Sequence, residues 1–199
     1  MKNIILGIAT LTTVLTACGN SSSDKKENNI IAQQAAVLIS DTATKQAPAV
    51  AEVKAAISIK EILDNYLQMK NAFTKDNDKD AATAGNEMVK AFAGFNKAAL
   101  TPDQAKVYND VEDDAREHAE HIGMNAGKIE HQREHFDMLS KDIYQLAKTF
   151  GGGKKIYYDH CPMYNNNKGA YWLSETKEIA NPYLGKAMPT CGTMKQEMK

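Results

Sequence analysis

The stretch from Ile129 to Phe150, IEHQREHFDMLSKDIYQLAKTF, decides the fold of this 199-residue chain. Its apolar residues recur with the 3.6-residue period of an α-helix, and three glycines at 151–153 end the pattern. A helix with one apolar stripe has to bury that stripe against other parts of the same fold. The stretch therefore predicts a helical protein, and its partners should lie earlier in the chain.

Three similar stripes precede this helix. The first follows a capping-box pattern at Ser58–Glu61, the second follows Asp76–Asp78, and the third begins at Thr101 with a proline in the next position. Four amphipathic helices joined by short turns favour an antiparallel, up-and-down four-helix bundle. The predicted fold class is mainly α, with the bundle over residues 57–153.

Residues 154–199 have a different composition, with two cysteines, four methionines and the only tryptophan of the chain. Ile156–Tyr158 and Ala170–Leu173 read as short strands, and the polar residues 165–169 form the loop between them. This segment is too short for a domain of its own. We expect a small, irregular, β-containing cap that packs on the bundle and forms one domain with it.

The N-terminus has the pattern of an export signal. Lys2 supplies a positive charge and residues 4–14 are uncharged and mostly apolar, which is too short a run to span a bilayer. The following Leu15-Thr16-Ala17-Cys18 resembles the lipobox of bacterial lipoproteins. The sequence thus predicts a signal peptide over 1–17, acylation of Cys18, and a flexible tether over 18–56. Gly19 after the cysteine favours the outer membrane, with the protein facing the periplasm.

Composition and motifs exclude several classes of function. With 24 basic and 25 acidic residues the chain lacks the positive field of a nucleic-acid binder. A mean hydropathy of −0.48 excludes a polytopic membrane protein. Since no phosphate-binding loop, nucleophile elbow or paired-carboxylate pattern is found, we do not expect an enzyme.

Residues capable of binding a metal are concentrated late in the chain. Cys161 and Met163 stand two apart, Cys191 is the other late thiol, and His131 and His135 share one face of the fourth helix. Thiolate and thioether ligands select Cu(I) and similar soft ions. The cysteines are equally suited to a disulfide, which an oxidising compartment favours. The residues alone leave both interpretations open. Of the remaining histidines, His118 is expected to be packed and hydrogen-bonded and His121 to face solvent.

Several strings in the second half of the chain resemble a known family. They are Ile129–Phe136 with Leu139-Ser140, Tyr158–Met163, Gly169–Ser174, Ile179–Tyr183, Gly185 and Cys191-Gly192. Together they resemble the family catalogued as domain of unknown function 3347, over roughly residues 58–195. That family occurs in small Gram-negative lipoproteins and in some heavy-metal efflux adaptors, so the resemblance implies a link to copper or related metal export.

The resemblance favours a metal site over a disulfide. We therefore expect a lipid-anchored extracytoplasmic protein that binds Cu(I) in copper handling or efflux, with a metal-efflux adaptor as partner. The expected ligands are Cys161, Met163, Cys191 and His135, with His131 nearby. The alternative is a structural module that is pinned by a Cys161–Cys191 disulfide and docks on such an adaptor.

Overall fold

The structure, a computed structural model, describes residues 58–199. The signal peptide, Cys18 and the tether were predicted for residues outside this range. Four helices come first, followed by three strands: α1 Lys60–Phe73, α2 Asp78–Ala93, α3 Pro102–Met124, α4 Ile129–Phe150, β1 Ile156–Cys161, β2 Ala170–Ser174 and β3 Thr193–Met198. The predicted fold class, mainly α with a small β-containing cap, is confirmed. Among the described helices, none combines the length and apolar character needed to cross a membrane.

The helix starts predicted near residues 76–78 and at Thr101 are both capped by side chains. Thr101 and Gln104 form a complete capping box at the start of α3, and the side chain of Asn77 accepts a hydrogen bond at the start of α2. At α1 the predicted box is wrong. There the Ser58 hydroxyl accepts the N–H of Lys60 instead, and the helix begins at Lys60 without a side-chain cap.

The four helices pack in sequence order, and α4 also contacts α1, which closes the bundle. Aromatic rings fill the centre, where Phe136 stacks on Tyr66 with ring centroids 4.9 Å apart and meets the edge of Phe73. Helices α2 and α3 approach each other closely at Gly85. A Cβ atom on this glycine would lie 2.7 Å from a backbone oxygen of α3, so only glycine allows this contact.

The strands form one antiparallel sheet in the order β2-β1-β3. Strand β3 was not predicted from the sequence, because five of its six residues are exposed and only Met198 is buried. The loop between β1 and β2 lies where it was expected. It contains three consecutive asparagines, 165–167, with positive φ, a conformation that asparagine tolerates better than most residues.

The sheet is attached to the bundle through buried polar contacts. The hydroxyl of Tyr66 in α1 lies 2.8 Å from Ser140 Oγ in α4 and accepts the backbone N–H of Leu173 in β2 at 3.0 Å. In α4, the buried Arg133 donates to the carbonyl of Pro182 at 2.8 Å. These bonds fix the cap on the face that α1 and α4 share.

One buried carboxylate in the sheet lacks hydrogen-bond donors. Asp159 in β1 is completely buried, and among the described residues neither of its oxygens has a hydrogen-bond partner. Burial raises the pKa of Asp159 to about 6, although the positive charge of the buried Lys70 acts in the opposite direction. Lys70 itself pairs with Glu175 at 2.9 Å.

Candidate metal centre

Four of the five histidines meet between α3 and α4. His118 and His121 lie on α3, and His131 and His135 lie on α4, on either side of the turn at 125–128. In an antiparallel helix pair, residues equally far from the turn come to the same level. His118 therefore lies beside His135, and His121 lies beside both His131 and His135.

The rings are in direct contact. His121 and His135 stack with centroids 4.3 Å apart, and His131 meets the edge of His135 at 4.7 Å. One ligand atom from each of His121, His131 and His135 can be chosen so that all lie within 4.8 Å of one another. Nitrogen ligands around one ion, with bonds of about 2.0–2.1 Å, lie roughly 3.3–4.2 Å apart. The upper limit of 4.8 Å between the three ligand atoms is close to this range.

The cluster is arranged to keep its central imidazole neutral. Burial, together with the neighbouring histidines, lowers the pKa of His135 to about 4, and burial also lowers the pKa of His118. A neutral imidazole offers a free nitrogen lone pair, which is the form that binds metal. At neutral pH, His135 is therefore ready to act as a ligand without first losing a proton.

The two outer histidines each have a carboxylate beside one ring nitrogen. His131 Nδ1 lies 3.3 Å from Glu134, and His121 Nε2 lies 3.8 Å from Glu117. A carboxylate within hydrogen-bond distance, as Glu134 is, orients a metal-binding histidine, whereas Glu117 at 3.8 Å makes only an electrostatic contact. Since the side chains of His121 and His131 are 45% and 42% exposed, an ion can reach the cluster from solvent.

The predicted sulfur ligands form a separate group. Cys161 ends β1, Cys191 precedes β3, and their sulfur atoms lie 2.8 Å apart as free cysteines. Contact with Cys161, together with burial, raises the pKa of the Cys191 thiol to about 11. In the described part of the chain, no third His, Cys, Asp or Glu completes a metal-binding group with this pair.

The expected mixed site of cysteine, methionine and histidine is thus divided in two by the fold. Helix α4 turns His131 and His135 toward α3, whereas Glu130, Glu134 and Asp137 line an open cleft of about 630 Å³ against the cap. Met163 is 48% exposed at the surface of the cap. His118 is hydrogen-bonded as expected, and His121, expected to face solvent, is 45% exposed but also stacks on His135.

The cluster is not evident from α3 or α4 taken separately, because each helix contributes only two of its histidines. The signal was nevertheless present in the numbering. The pairs His118 with His135 and His121 with His131 are almost equally spaced about the turn at 125–128. A search for metal ligands across a predicted helical hairpin would have found them.

The comparison with protein families matches the helical part of the chain. Residues 62–155 match the family model described as "Protein of unknown function (DUF3347)". This part of the chain is similar to the DUF3347 family. The matched DUF3347 domain contains all four clustered histidines, and it ends before Cys161, Met163 and Cys191. No curated protein and no solved structure matches the chain significantly.

Proposed function

We propose that this protein binds a transition-metal ion, most favourably copper, through His121, His131 and His135. The observation that carries the proposal is the convergence of these three imidazoles from two helices, with ligand atoms within 4.8 Å of one another. Histidine pairs one turn apart on a single helix are common without a metal. Convergence across two helices, with carboxylates beside the outer rings, is a better indication of a binding site.

The ligand set favours particular metals. Imidazole nitrogens suit copper, zinc, nickel and iron, and among divalent ions of the first transition row copper binds such sites most tightly. The sulfur ligands that were expected to select Cu(I) lie in the other group. Cu(II) is therefore the ion we propose for the histidine cluster, with Zn(II) as its nearest competitor.

The N-terminal sequence supports a role outside the cytoplasm. An export signal followed by Leu15-Thr16-Ala17-Cys18 supports a lipid anchor on Cys18, and the polar residues that follow support a tether. We propose an outer-membrane lipoprotein that handles copper in the periplasm and acts beside a metal-efflux adaptor. The exposed sides of His121 and His131 suit such a role, because a partner's ligands can reach the bound ion.

The fifth histidine provides a matched control for the test. The full chain, purified in detergent and stripped of metal, is titrated with Cu(II) against a competing chelator. Replacing His131 or His135 by asparagine should weaken binding at least 100-fold. His160→Asn should leave the affinity unchanged, because the His160 ring packs against Tyr171 in the sheet, outside the cluster. Equal losses in all three variants, or wild-type binding no stronger than that of a double His131/His135 variant, would refute the proposal.

The second candidate function is the disulfide-pinned structural module, which the 2.8 Å separation of the Cys161 and Cys191 sulfur atoms favours. A bond across these 30 residues would contribute about 3–4 kcal/mol in the chain-entropy model. Thiol titration of the purified full chain, before and after reduction, tests it. Two additional thiols on reduction, together with a lower melting temperature, would support the disulfide; two free thiols before reduction would exclude it.

A further inference from the structure

His118 lies at the edge of the cluster and is not one of its three converging ligands. Its Nδ1 atom is 3.2 Å from Nδ1 of His135, which is hydrogen-bond distance. From this geometry we infer that His118 is a positioning residue. It accepts the Nδ1–H of His135 and thereby directs Nε2 of His135 to the metal. The inference rests on the proposed function and deepens it.

The number of protons on the two rings decides which one donates. A neutral imidazole carries one N–H, so a hydrogen bond between two Nδ1 atoms requires one ring to donate and the other to accept. If His135 accepted, its proton would be on Nε2 and its only lone pair would point at His118. If His135 donates, its Nε2 is free to bind an ion. Only the second arrangement makes His135 a ligand.

If His135 donates, the tautomer of His118 is fixed as well. Its Nδ1 must be the acceptor, so its own proton is on Nε2. His118 then does for His135 what Glu134, 3.3 Å from Nδ1, does for His131. In each case a neighbour within hydrogen-bond distance occupies one ring nitrogen and leaves the other free. Loss of such an outer partner typically weakens metal binding 10–100-fold.

Two substitutions separate hydrogen bonding from packing. In His118→Asn the side-chain oxygen can take the place of Nδ1 and still accept the proton. In His118→Leu a side chain of comparable bulk fills the space but offers no acceptor. Because His118 is only half-buried, both variants are expected to fold, and circular dichroism with thermal unfolding verifies this.

The first readout is Cu(II) affinity of the full chain in detergent, measured by chelator competition. We expect His118→Leu to bind 10–100-fold more weakly than the wild type and His118→Asn to stay within about threefold. Equal affinities of His118→Leu and wild type would overturn the inference. So would an asparagine variant as weak as the leucine variant.

The second readout needs no metal. Nitrogen-15 NMR of the histidine rings reports which nitrogen of His135 carries the proton. We expect the Nδ1–H form in metal-free wild type and in His118→Asn, and a shift toward the Nε2–H form in His118→Leu. An Nε2–H form in the wild type would overturn the inference. If the wild type shows Nδ1–H but binds no Cu(II), the positioning stands and the proposed function fails.

Discussion

The replacement of Asp159 by asparagine tests whether the ionised carboxylate of Asp159, buried in β1, destabilises the folded protein. The pKa of this group is raised from 3.8 to about 6 because the folded protein surrounds the charge with low-dielectric material and no hydrogen-bond donor. A buried group with a raised pKa releases its proton less readily in the folded state than in the unfolded state. The free energy of unfolding should therefore fall as pH rises from about 4 to about 6, and stay low above that range.

The size of this effect follows from the two pKa values. At about 1.36 kcal/mol per pKa unit, ionising Asp159 costs the folded protein about 3 kcal/mol at pH 7. The side chain is completely buried, so solvent does not reduce this figure by direct contact. Asparagine has nearly the same shape and no charge. Relative to the wild type, Asp159→Asn should gain about 2–3 kcal/mol between pH 4 and pH 8, because the unfolded-state carboxyl group is already partly ionised at pH 4.

The assay is guanidinium unfolding of wild type and variant at several pH values between 4 and 8. The test uses only the way in which the difference in unfolding free energy between variant and wild type changes with pH. A cost of burying the unpartnered asparagine amide that does not depend on pH therefore cancels. Asp113→Asn, at a side chain that is 90% exposed, serves as the control and should show little of this trend. A difference between Asp159→Asn and wild type that does not change with pH would refute the reasoning.

Three further predictions concern packing, a buried hydrogen bond and a helix cap. Gly85→Ala should destabilise the fold by about 1–3 kcal/mol, because the added Cβ would lie 2.7 Å from a backbone oxygen of α3. Gly94→Ala serves as the control and should be tolerated, because the nearest atom to its Cβ would be 3.4 Å away. Equal melting temperatures of the two variants would contradict this prediction. Tyr66→Phe should cost about 1–3 kcal/mol in guanidinium unfolding because the N–H of Leu173 loses its acceptor, and an unchanged midpoint would contradict it. Thr101→Ala should cost about 1 kcal/mol because the N–H of Gln104 loses the side-chain acceptor that caps α3, and the same guanidinium titration measures it; no loss would show that the cap contributes nothing.

The helices were predictable because their signals are local. The stripe of α4 and the capping box at Thr101 each involve residues within one or two turns, so the sequence carries them directly. Strand β3 was not predictable in this way. Its residues are polar and mostly exposed, and only pairing with β1, more than 30 residues earlier, makes it a strand.

Which residues form the histidine cluster could not be read from local sequence patterns. A helical projection gives the angle between His135 and the apolar stripe of α4, but it does not say which neighbour packs on that side. That choice depends on the handedness of the bundle, which the pattern of one helix does not contain. At that angle His135 could pack either against a cap carrying Cys161 or against a helix carrying His121. In the structure it packs against His121.

The hydroxyl of Tyr66 joins segments that are far apart in the chain. It contacts Ser140, 74 residues later, and accepts the amide of Leu173, 107 residues later. That amide can exchange its hydrogen with solvent only after the sheet separates from α1, which also exposes the buried ring. Leu173 should therefore exchange at the rate of global unfolding, as slowly as the innermost amides of the bundle. The helices and the sheet then form one cooperative unit, and a ligand that stabilises the histidine cluster would slow exchange in the distant sheet as well.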